Sequence, residues 1–396
     1  MAFIYNSKPL IVGSKPMIKR KHILFLVSGM QGGGAERVAS TLSNYWVEKG
    51  HRVTLIPTFS GRGDCVYHLD ERVELDFLAD RVSNTKKSIW NRLHRFWVLR
   101  KLIQQYNPSV IVSFLTHVNV AAILCSFGSK IPVIVSERTY PPRYPLGFFL
   151  RTLRVLLYPY ATAVVMQTNQ GLAWLKDRVS QNNGVVIPNP VTYPMVRSSP
   201  VIMPKDVISG DRKICLSVGR LVKEKGFSEL ISAFGGLASK FPNWDLVILG
   251  SGYRLEKLEQ RVSSLGLQDR VYFPGQVGNV SDWYLCAGAY VMNSRFEGFP
   301  NTLLEAMAHG MPVISADCDT GPKEIITDGI DGLLVDTLGV RSELSSAMEK
   351  IFQDPIFSRS LGQEATEVRK RFSLDSIGSK WDDLIELHTS WSNGDK

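Results

Sequence analysis

Short apolar runs alternate with amphipathic stretches along most of the chain. In the first half, an apolar run is followed by a glycine cluster and then by a stretch of helical periodicity at 35–49. Strands that alternate with helices are typical of parallel, doubly wound sheets, so this half is predicted to form one α/β domain. Its predicted strands cover 22–28, 52–59, 109–115, 133–136, 163–167 and 185–187, with a further helix at 118–127.

The pattern stops at 191–211, where Pro194, Pro200 and Pro204 interrupt the periodicity, and then restarts. The predicted strands of the second half cover 214–218, 245–249, 271–273, 289–294, 312–315 and 333–335, with helices at 227–240, 254–264, 301–309, 342–354 and 360–391. Two such arrays would face each other across a deep cleft between the carboxyl edges of their sheets, where these sheets bind ligands. We therefore predict two Rossmann-like domains at 21–191 and 212–375, joined by a linker at 192–211. A basic extension at 1–20 precedes them, and a C-terminal helix at 376–396 is placed to pack back on the first domain.

The composition indicates the cellular compartment and shows that charge is unevenly distributed along the chain. The chain has 396 residues, 44% of them hydrophobic, which suffices for two cores. It has no apolar run long enough for a transmembrane helix and no signal-peptide pattern at its start. Five scattered cysteines without a C-x-x-C pair predict reduced thiols in the cytoplasm and argue against a structural metal site. Residues 1–190 carry 24 Lys and Arg against 10 Asp and Glu, a net of +14, whereas residues 191–396 carry 22 against 27, a net of −5.

The basic first half indicates an anionic partner, either nucleic acid or a membrane surface. The stretches 86–97 and 143–160 mix cations with Trp, Phe and Leu, as helices at membrane interfaces do. No motif that reads RNA or DNA accompanies the charge, so nucleic acid is not expected as a partner. An ordinary helix packed on a sheet, with a solvated outer face, is the alternative interpretation.

The strongest chemical motif is R-F-E-G-F-P-N-T-L-L-E-A at 295–306, where a strand ends and a helix begins. Pro at the start of a helix and the free amides beside it favour a bound anion such as phosphate. The predicted contacts of this helix start are Phe299, Pro300, Asn301 and Thr302. Glu297 and Glu305 flank it, and their carboxylates can accept hydrogen bonds from sugar and ribose hydroxyls.

Two cations lie five residues apart in a second strand-to-helix turn. Arg220 and Lys225 follow a predicted strand, and cations in this position would neutralise a departing diphosphate. No D-x-D motif appears at a strand end, so no obligatory metal ion or other cofactor is predicted.

In the first domain, the glycine cluster 29–37 places Gly33 and Gly34 between a strand and a helix, where amides can approach a phosphate or a sugar. A dinucleotide site would need G-x-G-x-x-G and an acid at the end of the second strand, and neither is present. His117, Glu137 and Arg138 follow other strands of this domain. His117 is expected to face the cleft, and the other two to orient an acceptor, with a structural role as the alternative for each.

The segment 295–306 resembles the signature of the retaining glycosyltransferases of family 4, which have the GT-B fold. The resemblance continues through G-M-P-V-I-S at 310–315, G-P-K-E-I-I at 321–326 and D-G-L-L-V at 331–335, and is weaker before residue 213. It implies that Arg220 and Lys225 contact the donor diphosphate and that backbone groups near Val277 wrap the nucleotide. It further implies that His117 contacts the donor sugar and that Gly33 and Gly34 meet donor phosphate and acceptor.

The resemblance implies a transferase that moves a hexose or N-acetylhexosamine, with retention, from a nucleoside diphosphate sugar. The first domain would bind the acceptor and the second the donor, with Glu297 on the sugar and Glu305 on the ribose. Similar bacterial proteins extend polyprenyl-diphosphate-linked glycans, which points to a UDP-sugar, a lipid-linked acceptor and a peripheral position on the inner face of the cytoplasmic membrane. Two alternatives remain, namely a nucleotide-sugar epimerase or hydrolase of the same fold and a non-catalytic scaffold that binds nucleotide sugars.

Overall fold

The computed structural model describes residues 20–59, 65–82, 89–179, 183–336 and 341–390. The predicted extension 1–20 lies outside these ranges except for its last residue, and so do positions 86–88 of the first basic stretch. Two parallel sheets, each with helices on both faces, confirm the predicted α/β class with two Rossmann-like domains.

The first domain is built on a seven-stranded sheet in the order β3-β2-β1-β4-β5-β6-β7. Its strands are β1 His22–Val27, β2 Arg52–Pro57, β3 Glu74–Leu75, β4 Val110–Phe114, β5 Val133–Ser136, β6 Ala163–Met166 and β7 Gly184–Val186. Its helices are α1 Gly34–Glu48, α2 Leu78–Arg81, α3 Ile89–Tyr106, α4 Thr116–Ser126, α5 Phe148–Leu157 and α6 Asn169–Arg178. The central strands are buried on both faces, which explains why they read as continuous apolar runs.

The second domain has a six-stranded sheet in the order β10-β9-β8-β11-β12-β13. Its strands are β8 Lys213–Val218, β9 Trp244–Leu249, β10 Val271–Gly275, β11 Ala289–Met292, β12 Val313–Ala316 and β13 Leu333–Val335. The helices that follow the first domain are α7 Pro204–Val207, α8 Phe227–Leu237, α9 Leu255–Ser264, α10 Val280–Cys286, α11 Asn301–Ala308, α12 Pro322–Ile325, α13 Arg341–Gln353, α14 Pro355–Ala365, α15 Val368–Arg371 and α16 Leu374–Thr389. The single helical tail predicted at 360–391 is therefore wrong, because α14, α15 and α16 are separate helices.

The last helix, α16, packs against α1 of the first domain. Its Trp381 is fully buried and meets the ring of Trp46 edge-on at 6.2 Å. The carboxylate of Asp382 accepts hydrogen bonds from Tyr45 Oη at 2.8 Å and from Trp46 Nε1 at 3.1 Å. The chain thus crosses between the domains twice, at the linker and again before α16, where Val191 N bonds Phe372 O at 2.7 Å.

Polar contacts also join the two domains directly at the rim of the cleft. Asn169 Nδ2 at the start of α6 donates to Glu324 Oε2 of α12 at 2.9 Å. Arg143 forms an ion pair with Asp319 across the same boundary. These contacts bring the carboxyl edges of the two sheets together, so that residues at the strand ends of one domain reach those of the other.

Candidate active site

Lys225 and Glu297 meet at the carboxyl edge of the second sheet. Lys225 ends a single turn of 3-10 helix after β8, and Glu297 lies in the loop between β11 and α11. The Lys225 Nζ atom lies 2.5 Å from Glu297 Oε1, and both side chains are mostly buried. The sequence motifs placed these residues in separate turns, and the structure brings them together as one ion pair.

The loop before Lys225 also carries Arg220, which is exposed and whose side chain has no hydrogen-bond or ion-pair partner among the described residues. Val277, in the loop after β10, is half-buried and packs against the main core with its apolar side chain. A free guanidinium at a strand end is suited to bind an anionic ligand, because its five donors are not committed elsewhere.

The first turn of α11 supplies backbone donors. Pro300 caps this helix without a side-chain hydrogen bond, so the amides of Asn301, Thr302 and Leu303 have no partner within the helix. Tyr290 Oη, from β11, donates to Thr302 Oγ1 at 2.8 Å and fixes that side chain. Phe299 is buried, 5% exposed, and anchors the loop in the core. Free amides at a helix start are of the kind that bind an anion such as phosphate, so the anion site remains a prediction that this arrangement permits.

Gly298, within the motif at 295–306, lies directly against the facing domain. A side chain built on it would lie 2.6 Å from Arg138 O and 2.7 Å from Gln167 Oε1, both in the first domain. A glycine at a strand end can let the backbone pass close to a ligand, but here the close approach is to the facing domain. Any larger residue here would push the domains apart.

Glu305 is engaged on both of its oxygens. It lies in the second turn of α11 with a side chain only 8% exposed, and Arg37 of α1 forms an ion pair with its Oε1 atom. Tyr284 Oη donates to Oε2 at 3.2 Å. Burial raises the pKa of the Glu305 carboxyl, and Arg37 opposes that rise. A ribose hydroxyl that binds Glu305 would have to share or replace one of these bonds.

Backbone amides of the glycine cluster before α1 already donate hydrogen bonds to a neighbouring carboxylate. The amides of Gly32 and Gly33 donate to Glu36 Oε2 at 2.7 and 2.8 Å, which corresponds to the carboxylate half of a capping box, since the N-cap glycine has no side chain to supply the other half. Gly34 instead faces the second domain, because Asn301 Nδ2 donates to its carbonyl at 3.3 Å. A phosphate or sugar at these amides would compete with Glu36.

His117 follows β4 at a strained turn. Leu115 has φ +78°, a conformation rare outside glycine, and such strain is concentrated at functional sites. The turn leaves His117 half-buried, with Nε2 3.0 Å from Ser28 Oγ and its ring edge-on to Phe59 at 4.8 Å. Burial lowers the pKa of His117, so the imidazole is neutral at pH 7.

Glu137 does not face the cleft. Its carboxylate is 1% exposed, accepts from Thr116 Oγ1 at 2.9 Å and from Tyr158 Oη, and lies 3.9 Å from Arg154 Nη1. Burial raises the pKa of Glu137. The structure therefore does not support an acceptor contact through Glu137, because its strand end directs the side chain into the first domain.

Arg138 is likewise buried, 7% exposed, with its guanidinium 3.4 Å from the centre of the Phe114 ring. Its Nη1 atom donates to Asn189 Oδ1 at 2.8 Å. Within the described residues its Nε and Nη2 atoms have no hydrogen-bond acceptor. Arg138 thus lies at the domain boundary as an internal cation and not on an open acceptor surface.

The motifs did not assign roles to Arg37, Glu36 and Asn189. Glu36 three residues after Gly33 follows capping-box spacing, so its contact could have been predicted. Arg37 one residue later lies on the first turn of a helix that begins at the cleft, but nothing in the sequence indicates its partner in the other domain. Asn189 stands between two prolines at the domain junction, which marks a fixed backbone without indicating a contact.

The described part of the chain contains no group of three or more His, Cys, Asp or Glu side chains arranged to bind a metal ion. In the same ranges, no helix is both long and apolar enough to cross a membrane.

Two family models match the chain, Glycosyltransferase Family 4 over residues 32–193 and Glycosyl transferases group 1 over residues 198–368. The chain is 30% identical over 372 residues to a Campylobacter jejuni GalNAc-alpha-(1->4)-GalNAc-alpha-(1->3)-diNAcBac-PP-undecaprenol alpha-1,4-N-acetyl-D-galactosaminyltransferase, covering 92% of this chain and 98% of that protein. It is 35% identical over 324 residues to the Salmonella typhimurium lipopolysaccharide 1,6-galactosyltransferase, covering 79% of this chain and 84% of that protein.

Among solved structures, the crystal structure of Anabaena HepE in complex with UDP and glucose superposes with a TM-score of 0.79 at 18% identity. The match covers 93% of this chain and 100% of the HepE chain. At this identity the likeness concerns the fold, and it confirms the GT-B architecture that the sequence resemblance implied.

Proposed function

The chain belongs to glycosyltransferase family 4, and from that membership we propose that it moves a hexose or N-acetylhexosamine from a UDP-sugar to a lipid-linked saccharide with retention of anomeric configuration. The observation that carries this proposal is that Arg220, the Lys225–Glu297 pair and the start of α11 all lie at the carboxyl edge of the second sheet. The cations and free amides at this edge would bind a diphosphate. The carboxylate beside them would accept hydrogen bonds from hydroxyl groups.

In this proposal the leaving diphosphate is stabilised by Arg220, Lys225 and the first amides of α11. Preorganised donors act most strongly where charge develops, which here is the oxygen between the sugar and the diphosphate. Glu297 holds hydroxyls of the donor sugar and keeps Lys225 in place. Glu305 contacts the ribose after exchange with Arg37 or Tyr284.

The neutral His117 contacts the donor sugar from the first domain. Retention would follow from attack of the acceptor hydroxyl on the face that the diphosphate leaves, with the bond between the sugar and the diphosphate breaking and the hydroxyl proton passing to an oxygen of the leaving diphosphate. Two cations and helix amides supply positive charge, so we propose that the reaction needs no divalent ion. UDP as the nucleotide is supported by the UDP-bound HepE structure of similar fold.

The acceptor proposal rests on the Campylobacter relative and on the surface of the first domain. That relative acts, by its name, on a saccharide linked to PP-undecaprenol. Helices α3 and α5 flank α4 and carry exposed large side chains, including Trp90 at 77%, Phe148 at 80% and Phe149 at 75%. Aromatic side chains beside a basic surface favour the interface of an anionic membrane, so we propose a peripheral position on its cytoplasmic side.

The test is transfer from a panel of UDP- and GDP-sugars to a polyprenyl-diphosphate-linked saccharide, with EDTA present and donor hydrolysis measured in parallel. We expect transfer from one UDP-sugar and a loss of ~10²-fold or more in Glu297→Ala, because the carboxylate acts in the transition state. Glu229→Ala, which changes an exposed carboxylate of the same domain, is the matched control. Donor consumption without a glycosylated product would contradict the proposal and favour an epimerase or hydrolase.

Membrane binding is tested separately by flotation with vesicles of phosphatidylglycerol and phosphatidylethanolamine. We expect the protein to float with anionic vesicles at low salt, and Phe148→Ser with Phe149→Ser to reduce the bound fraction several-fold. Leu387→Ser, at an exposed position on α16, is the control. Equal flotation of all three proteins would refute the assignment of this surface.

A further inference from the structure

Asn189 links the two domains through a single buried side chain. It follows β7 between Pro188 and Pro190, and it is 4% exposed. The flanking prolines restrict the backbone on both sides, so the amide group has little freedom to turn elsewhere.

The Asn189 oxygen accepts two hydrogen bonds from the first domain. Arg138 Nη1 donates to Oδ1 at 2.8 Å, and Gln167 Nε2 donates to the same atom at 2.7 Å. Arg138 is itself fixed between the rings of Phe114 and Trp381, at 3.4 and 5.7 Å from their centres. The oxygen side of Asn189 is therefore held by strand ends of the acceptor domain.

The Asn189 nitrogen donates two hydrogen bonds to the second domain. Nδ2 reaches Phe299 O at 3.2 Å and Asn301 Oδ1 at 2.7 Å, which are the residues around the N-terminus of α11. Asn301 Nδ2 then donates to Gly34 O at 3.3 Å. The contacts form a continuous path from β5 and β6 through Asn189 to α11 and back to the glycine cluster.

All the hydrogen-bonding capacity of this amide is used, with two donors and two acceptor positions satisfied. Aspartate has the same shape but no donor, so it would lose both bonds to α11 while keeping those from Arg138 and Gln167. Asn301 could rotate its amide group so that Nδ2 donates to the new aspartate. Its Oδ1 atom would then face the Gly34 carbonyl oxygen, and the hydrogen bond between Asn301 and Gly34 would be lost.

We propose that Asn189 is a positioning residue that sets the phosphate-binding start of α11 relative to the acceptor domain. It touches no reacting atom, and it acts through Phe299 and Asn301. The consequence falls on the transfer step, because misplacement of donor and acceptor groups by ~1 Å can cost ~10²-fold in rate. Under the proposed function the nucleotide would contact mainly the second domain, so its affinity should change little. This inference rests on the proposed transferase activity.

The experiment compares Asn189→Asp and Asn189→Leu with the parent protein. We expect kcat for transfer to fall ~10- to 100-fold while the Kd for UDP, measured by calorimetry, changes less than threefold. Asn119→Leu is the matched control, since Asn119 is a fully buried amide whose bonds to Ser113, Ser136 and Tyr158 all lie within the first domain. Asn119→Leu should lower the unfolding temperature. It should not show a large fall in kcat beside an unchanged Kd for UDP.

A double-mutant cycle and an activity-independent readout complete the test. If Asn189 acts through Asn301, the effect of Asn189→Asp on kcat should shrink several-fold in an Asn301→Ala background. Amide hydrogen exchange should accelerate at 299–304 and at 32–37 in Asn189→Asp but not in Asn119→Leu. Normal kcat and unchanged exchange in Asn189→Asp would overturn the positioning role. A parent protein that transfers no sugar, together with the predicted exchange pattern, would instead refute the proposed function alone.

Discussion

The ion pair between Arg37 and Glu305 gives the most direct test of how the two domains are held together. Glu305 is 8% exposed and Arg37 is 30% exposed by side chain, and they come from opposite sides of the cleft. Replacement of Arg37 by Met keeps an unbranched, apolar stem and removes the charged guanidinium. Glu305 would then be a buried carboxylate with Tyr284 as its remaining partner.

The expected loss of stability follows from this burial. Removal of one partner of a buried ion pair costs about 3–5 kcal/mol, because the remaining charge is not compensated. Water can reach the partly exposed position of Arg37, so we expect about 3 kcal/mol, the lower end of that range, at pH 8. The loss should depend on pH, since the carboxyl can avoid the cost by taking up a proton.

The sign of that dependence is fixed by the pKa of Glu305. Burial raises this pKa above 4.5, and loss of Arg37, the largest opposing influence, raises it further. A folded-state pKa above the unfolded value means that the folded protein binds more protons, so stability falls as pH rises through the folded pKa. Arg37→Met should therefore lose more free energy of unfolding at pH 8 than at pH 5.

The assay is urea unfolding followed by circular dichroism at the two pH values. Arg52→Met is the control, because its ion pair with Glu74 is exposed and such pairs contribute about 0–1 kcal/mol. The double variant Arg37→Met with Glu305→Gln should recover most of the loss, since a neutral amide replaces the buried charge. Equal losses at both pH values, or a double variant no more stable than Arg37→Met, would refute this reasoning.

Three further predictions concern single residues. Arg220→Ala should lower kcat for transfer ~10²-fold with an unchanged unfolding temperature, because this side chain is exposed, and an unaltered kcat would contradict its role. Glu137→Gln should leave the KM for donor unchanged. Because burial raises the pKa of Glu137, urea unfolding should show this variant to be less destabilised relative to the parent at pH 8 than at pH 5, and a constant difference would argue against the burial account. Since burial lowers the pKa of His117, kcat of the parent should be constant from pH 7 to 8 in a pH–rate profile, and an inflection there that disappears in His117→Gln would be inconsistent with a neutral imidazole.

Most strands of the two sheets could be predicted within two or three residues, because the central strands are buried on both faces. A continuous apolar run such as 133–136 leaves little choice of boundary. The two-residue strand β3 was missed, since Glu74 and Leu75 form no pattern by themselves. The breaks in the helical tail were missed as well, although Ser373, which caps α16 by accepting from Ser376 N at 3.1 Å, offered a recognisable signal.

The position of a site residue could be predicted where it depends on a local turn of the chain. It could not be predicted where it depends on side chains distant in sequence. Glu297 and Lys225 each follow a strand end, so their position at the cleft could be inferred from spacing alone. Glu137 also follows a strand end, yet its side chain turns inward to Thr116 and Tyr158. Periodicity places the backbone at the edge of a sheet, but it does not choose the rotamer that decides between the cleft and the core.

The paired charges of the cleft explain why donor binding should be an exchange of partners. A carboxylate kept ready for sugar or ribose hydroxyls in a buried site needs compensation, because an isolated buried charge is costly. Lys225 compensates Glu297 and Arg37 compensates Glu305, and in each case the compensating cation has further donors to offer. When hydroxyls take over at the carboxylates, these cations can turn part of their donors toward the diphosphate. Under the proposed function, the two pairs would therefore provide both the acceptors for the sugar and ribose hydroxyls and the positive charge for the leaving group, one pair within the second domain and one across the cleft.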